Sequence, residues 1–223
     1  RASVTAARTS DCSSWCAGDG AVDPDREGVI GMRADDAGGD SPRFDFPAYF
    51  EGHTRASGWF CDRLGRPRRH FCGDFLGTRD GEGLLLDEVL HYTDGVREHR
   101  LWRVTVDASG AFRAESDSLL GVAEGAQRGN ALEMRYTMSI LTAGGGRPTF
   151  DFEDLMLLQP DGSLHNITHV KKWGVRIGTV STQYERHDGS VTCAARLSLA
   201  QRPRADDSAS SRARTASRSA RSR

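Results

Sequence analysis

"LLLDEVLHYTDGVREHRLWRV", residues 84–104, reads as two strands folded back on an Asp-Gly turn, and its register decides the fold. A three-residue loop, Thr93-Asp94-Gly95, with Gly95 left-handed as a bulge, pairs Leu90 with Glu98, Glu88 with Arg100 and Leu86 with Trp102. One face then carries Leu84, Leu86, Glu88, Leu90, Tyr92, Trp102, Val104 and Val106, and the other is far more polar. A two-residue loop would slip the pairing by one and scramble both faces. The bulged loop is therefore expected. It sets Glu88 and Arg100 opposite each other on the apolar face.

The same arithmetic applies to "LMLLQPDGSLHNITHV", where Pro160-Asp161-Gly162 supplies the turn. It pairs Leu158 with Leu164, Met156 with Asn166, Asp154 with Thr168, and Phe152 with Val170. His187-Asp188-Gly189 offers a third loop of this kind, between "TVSTQYER" and "SVTCAARLSLA". The strand "NALEMRYTMSI" places Asn130, Leu132, Met134, Tyr136, Met138 and Ile140 on one side. Eight to ten such strands fit between about 50 and 200, with no amphipathic helix of ten residues among them. The expectation is an all-β chain forming an antiparallel up-and-down, lipocalin-like (calycin-like) β-barrel, since consecutive hairpins that close on themselves leave no exposed edge. A barrel of about eight strands has room for one small ligand.

The chain has 223 residues, 37% of them hydrophobic and 27% charged, which is polar for a compact fold and implies long solvated segments beside a smaller core. Residues 1–42 are rich in Ser, Ala, Gly, Asp and Arg and are expected to be disordered. The barrel domain is expected over 43–200. The Arg/Ser-rich tail, 201–223, holds seven Arg and two Asp and is expected to be disordered as well. Without aromatic residues for base stacking, and attached to an acidic body, it gives no expectation of nucleic-acid binding. No run reaches the roughly 18 apolar residues of a membrane helix. No signal peptide is expected, because no charged stretch followed by an apolar one opens the chain. Five cysteines, at 12, 16, 61, 72 and 193, are too few and too scattered to predict a disulfide framework. Cys12 and Cys16 lack a second ligand pair at zinc spacing. His165 and His169, four apart on a strand, would stand roughly 13 Å from each other, too far for one metal. No metal and no cofactor are expected.

The stretches "FPAYFEGHTRASGWFCDRLG", "LDEVLHYTDGVREHRLW", "GVAEGAQRGNALEMRY", "FEDLMLLQPDGSLHN" and "KKWGVRIGTV" occur in that order. With them, residues 44 to about 184 resemble the uncharacterised bacterial lipoprotein family catalogued as domain of unknown function 3833. The resemblance implies the envelope of Gram-negative bacteria, a lipid anchor as the route to any membrane, and, from neighbouring genes for cyclopropane-type fatty-acid modification, a lipid ligand. It implies no catalytic residues. This chain departs from the family's pattern in having no lipobox cysteine and in carrying Leu155 where Trp is common.

A buried ion pair is a poor stabiliser. The Glu88–Arg100 pair therefore reads either as a structural clamp or as a ligand site, with Arg100 receiving a ligand carboxylate and Glu88 holding Arg100 in place by a charge-assisted hydrogen bond. Asp154, Asn166, Thr168 and Lys172 form a second polar cluster. In it Asp154 is either a register lock or a carboxyl of raised pKa suited to acid–base work. The expectation is a non-enzymatic binder of a fatty-acyl or similar amphipathic ligand, anchored by Arg100 and Lys172 and walled by Trp102, Met134, Tyr136 and Phe152. The alternatives are a cofactor-free isomerase or cyclase using Glu88 or Asp154, and a structural barrel with a filled interior. No GxSxG, P-loop, GxGxxG or HExxH motif occurs.

Overall fold

Left-handed glycines close the hairpins. Gly95 (φ 85°) and Gly162 (φ 82°) sit where the turn chemistry requires them. The structure, a computed structural model, describes residues 42–195. The short helix α1 (Phe46–Phe50) leads into ten strands: β1 (Gly52–Asp62), β2 (Pro67–Asp80), β3 (Gly83–Tyr92), β4 (Arg97–Val106), β5 (Ala111–Glu115), β6 (Ala123–Arg128), β7 (Ala131–Ser139), β8 (Thr149–Leu158), β9 (Leu164–Lys172) and β10 (Val175–Arg186). Each strand pairs antiparallel with the next, and β10 returns to β1, from Thr54 opposite Arg186 to Asp62 opposite Gly178. The result is a closed up-and-down barrel.

Both hairpin registers match the reading of the turns. Leu86 faces Trp102, Glu88 faces Arg100 and Leu90 faces Glu98. Phe152 faces Val170, Asp154 faces Thr168 and Met156 faces Asn166. The expected third hairpin at His187-Asp188-Gly189 does not form. β10 ends at Arg186, and residues 191–195, a separate unit, contain a helical turn at 193–195 instead of a strand. The reason is closure: β10 already spends its outer edge on β1. The remainder of that expected strand, together with the segment 1–41 and the tail 201–223, lies outside the described residues.

One end of the barrel is stoppered by α1. Five residues are too few for a helix to persist alone, so its stability comes from its ends and its packing. The Asp45 side chain accepts from the Ala48 amide at 3.0 Å as an N-cap. Phe46 lies 4.4 Å from Phe50, ring centre to ring centre, and 5.2 Å from Phe112, while Phe50 meets Tyr184 edge-on at 5.4 Å. Gly77 on β2 makes this seat possible, because a Cβ there would stand 1.9 Å from the Phe50 carbonyl oxygen. Gly77→Ala is accordingly expected to cost about 1–3 kcal/mol by overpacking in urea denaturation. Gly146→Ala, whose Cβ would come no nearer than 3.5 Å to the Thr142 hydroxyl, is the control and should stay within about 0.5 kcal/mol. Equal stability of the two variants would mean that α1 is not seated on β2.

Candidate functional site

Side chains two apart on a strand share a face. Glu88 on β3, together with Glu98, Arg100 and Trp102 on β4, therefore converges inside the barrel, and Arg100, Glu88 and Glu98 are all buried. The Arg100 guanidinium donates to Glu98 at 2.5 Å and, more weakly, to Glu88 at 3.4 Å. Glu88 takes its shorter bond from the Trp102 indole N–H, at 2.6 Å. Glu98 also accepts from the Tyr92 hydroxyl at 3.0 Å and from the Leu141 amide at 2.9 Å, which ties β4 to the loop between β7 and β8. The expectation of Glu88 as the residue that holds Arg100 needs amending: the nearer partner is Glu98. Burial disfavours the Arg100 charge, but Glu88, Tyr92 and Glu98 outweigh it and hold the group protonated.

Asp154 on β8 lies across the interior. It accepts from the Tyr136 hydroxyl at 3.1 Å and from the Asn166 amide at 3.4 Å, both at Oδ2. Burial pushes its carboxyl up to about 6, against the opposing pull of the Thr168 hydroxyl, opposite it on β9, and of Tyr136 and Asn166. Its Oδ1, the Asn166 Oδ1 and the Arg100 Nε are buried without a hydrogen-bond partner in the described protein. Unpaired buried polar atoms are costly and rare, so three around one space require an explanation.

That space is a cavity of about 350 Å³ above the α1 stopper, with Phe46 and Phe50 as its floor. Glu88, Arg100, Trp102, Met134, Tyr136, Phe152, Asp154 and Asn166 all line it. Tyr136 stacks on Phe152 with ring centres 5.0 Å apart, and Trp102 meets Tyr136 edge-on at 6.0 Å. Lys172 is not brought to the cavity. Its ammonium donates to the Thr149 carbonyl and lies 5.1 Å from the Phe150 ring, at the rim. Glu98 and Tyr92 are placed by the register but not assigned to the site from the sequence, and Arg69 is not singled out. The register opposite Leu90 is the signal that could have found Glu98. Arg69 covers the Tyr92 ring at 3.5 Å and donates to the Leu141 carbonyl at 3.0 Å, closing one side of the cavity mouth.

The described residues contain no group of three or more His, Cys, Asp or Glu side chains arranged to hold a metal. One expectation is corrected: Cys61, Cys72 and Cys193 are disulfide-bonded. Spacing along the chain gave no warning of this, because a disulfide needs proximity in the fold and not a sequence pattern.

Asp154 fixes a pH dependence. Its folded-state pKa of about 6 stands above the ordinary 3.8, so the folded protein binds the proton more tightly. The resulting stabilisation is complete below about pH 4 and is lost as pH rises through about 6, on the order of 3 kcal/mol in all. Asp154→Asn should abolish this component. In urea denaturation from pH 4 to pH 7, the variant should gain on the parent steadily as pH rises. A constant difference across that range would show that Asp154 titrates normally.

No functionally curated protein matches the sequence. Among solved structures, the S-type phycobiliprotein lyase CPES from Guillardia theta is similar, with a TM-score of 0.45 and 9% identity over 64% of this chain and 92% of that one. The family pattern described as "Protein of unknown function (DUF3833)" matches residues 27–186, so it takes in all ten strands and the stopper helix, and the chain belongs to that family.

Proposed function

We propose that the barrel is a binding module for one small amphipathic molecule with an acyl-type chain and a neutral polar head. The observation that carries the reading is the set of three unpartnered polar atoms, Arg100 Nε, Asp154 Oδ1 and Asn166 Oδ1, around an otherwise aromatic and aliphatic cavity. Few polar groups on an apolar wall is the usual make-up of a small-molecule site. The cavity volume, about 350 Å³, is at the small end of such sites and argues against a filled, purely structural barrel.

Charge selects the head group. Arg100 is already shared by Glu88 and Glu98, and Asp154 adds a third acid to the interior. A free fatty-acid carboxylate would therefore enter a field of its own sign, at a desolvation cost it could not recover. A hydroxyl, ester or amide head suits the site better: it can accept from Arg100 Nε and donate to Asp154 or Asn166. Disulfide-bonded cysteines are in keeping with an oxidising compartment such as the bacterial envelope.

Asp154 favours a second reading. A carboxyl titrating at about 6 beside a cavity is suited to moving a proton, as a cofactor-free isomerase or cyclase would require. Glu88 has the weaker claim, since Trp102 and Arg100 occupy both its oxygens.

Native mass spectrometry of the purified chain, followed by organic extraction, tests the binding reading. A neutral amphipath should co-purify, and monoolein should bind more tightly than oleate at pH 8, with the oleate deficit shrinking as pH falls and the head protonates. An empty protein that refuses both, or one that prefers oleate at pH 8, contradicts the assignment. Turnover of the extracted compound separates binder from enzyme: a binder leaves the compound unchanged, whereas an enzyme converts it and loses that turnover in Asp154→Asn.

A further inference from the structure

The end of the barrel opposite α1 carries large apolar side chains that are mostly exposed. Trp173, in the turn between β9 and β10, is 90% exposed, and Leu64, in the turn between β1 and β2, is 66% exposed. The two turns are neighbours, because β1 pairs with β10, and Asp62, Leu64, Val175 and Ile177 line one shallow groove between them.

Trp173 also breaks a local rule. Val175 pairs with Lys172, so Trp173 and Gly174 form a two-residue turn with φ of 51° and 78°. Asn, Asp or Gly ordinarily occupies the first of these positions, where a bulky side chain is strained. Here the strained residue is a tryptophan, and it gains no burial in return. A strained residue without a packing reward points to function.

The charges on these two turns and their flanks are mostly positive, even with Asp62 holding Arg68 and Glu153 holding Lys171. Residues 62–68 and 171–176 contain Arg63, Arg66, Arg68, Lys171, Lys172 and Arg176 against the single carboxylate Asp62. The basic character belongs to these two turns, since the β3–β4 and β5–β6 connections at the same end carry Asp94 and Asp117, and the turns at the stoppered end carry Asp80, Glu82, Asp107 and Asp161. An exposed tryptophan and leucine ringed by cations match the interface of a bilayer, where indole sits at headgroup level and Lys and Arg meet lipid phosphates. Phe60 and Ile177, close to these same turns, line the cavity, so its mouth faces this end.

We propose that the tip formed by the β1–β2 and β9–β10 turns docks on the surface of an anionic lipid bilayer, with Trp173 and Leu64 entering the headgroup layer. This goes beyond the ligand reading and holds whether or not the cavity is loaded. The test uses the full chain with phosphatidylcholine vesicles, with and without phosphatidylglycerol, and with brominated acyl chains as quencher. The chain should sediment with the phosphatidylglycerol vesicles, and bromolipid should quench an emission component that disappears in Trp173→Ser. Leu64→Ser/Trp173→Ser and Arg63→Glu/Arg66→Glu should each weaken partition by roughly tenfold or more, with thermal melting unchanged because all four side chains are exposed. Three results overturn the proposal: no sedimentation with anionic vesicles, quenching that persists without Trp173, or full partition by both double variants, which would assign the attachment to the Arg-rich residues 201–223.

Discussion

A single cation held between two carboxylates, Arg100 with Glu98 at 2.5 Å and Glu88 at 3.4 Å, is the interaction around which the barrel interior is arranged. Three charges removed from water cost more than their mutual attraction returns unless further hydrogen bonds complete them. Here Trp102 completes Glu88, while Tyr92 and the Leu141 amide complete Glu98. The network thus reaches from β3 and β4 across to the loop after β7. It also forbids collapse. Side chains tied to one another in this way cannot swing into the space beside them, and the stacked rings of Tyr136 and Phe152, which meet Trp102 edge-on, hold the wall on β7 and β8. The cavity follows from both.

The two ends of the barrel are built differently. Aromatic rings of α1 fill one end, made possible by the bare backbone of Gly77. The other end has only hairpin turns, with Arg69 bridging to Asp94 and Leu141 at the mouth. A closed floor at one end, and at the other a mouth flanked by two basic, partly apolar turns, give the molecule a direction. Entry from one side is in keeping with the small-molecule binding module proposed above.

The inward or outward parity of the side chains on β3, β4, β8 and β9 was legible in the sequence, because two Asp-Gly turns pin the register and one slipped residue would have exposed the core. Position along the barrel axis was not legible. Lys172 has the parity of Asn166 and Thr168 but lies at the end of its strand, where a long side chain reaches the rim instead of the cavity. Glu98 has the same parity as Arg100 and was passed over because nothing in the pattern says which of two acids a cation will prefer. The α1 stopper is too short to show a helical period. Its sequence sign is the aromatic density of "FDFPAYF" behind an Asp cap.

The most direct test of the central network is a set of variants measured by denaturant unfolding. Arg100→Met alone strands Glu88 and Glu98 inside and should cost about 3–5 kcal/mol. Adding Glu88→Gln and Glu98→Gln removes the stranded charges, so the triple variant should be clearly more stable than Arg100→Met alone. A triple variant whose loss equals the sum of the three single losses would contradict the account, since it would mean that the three groups do not act as one unit.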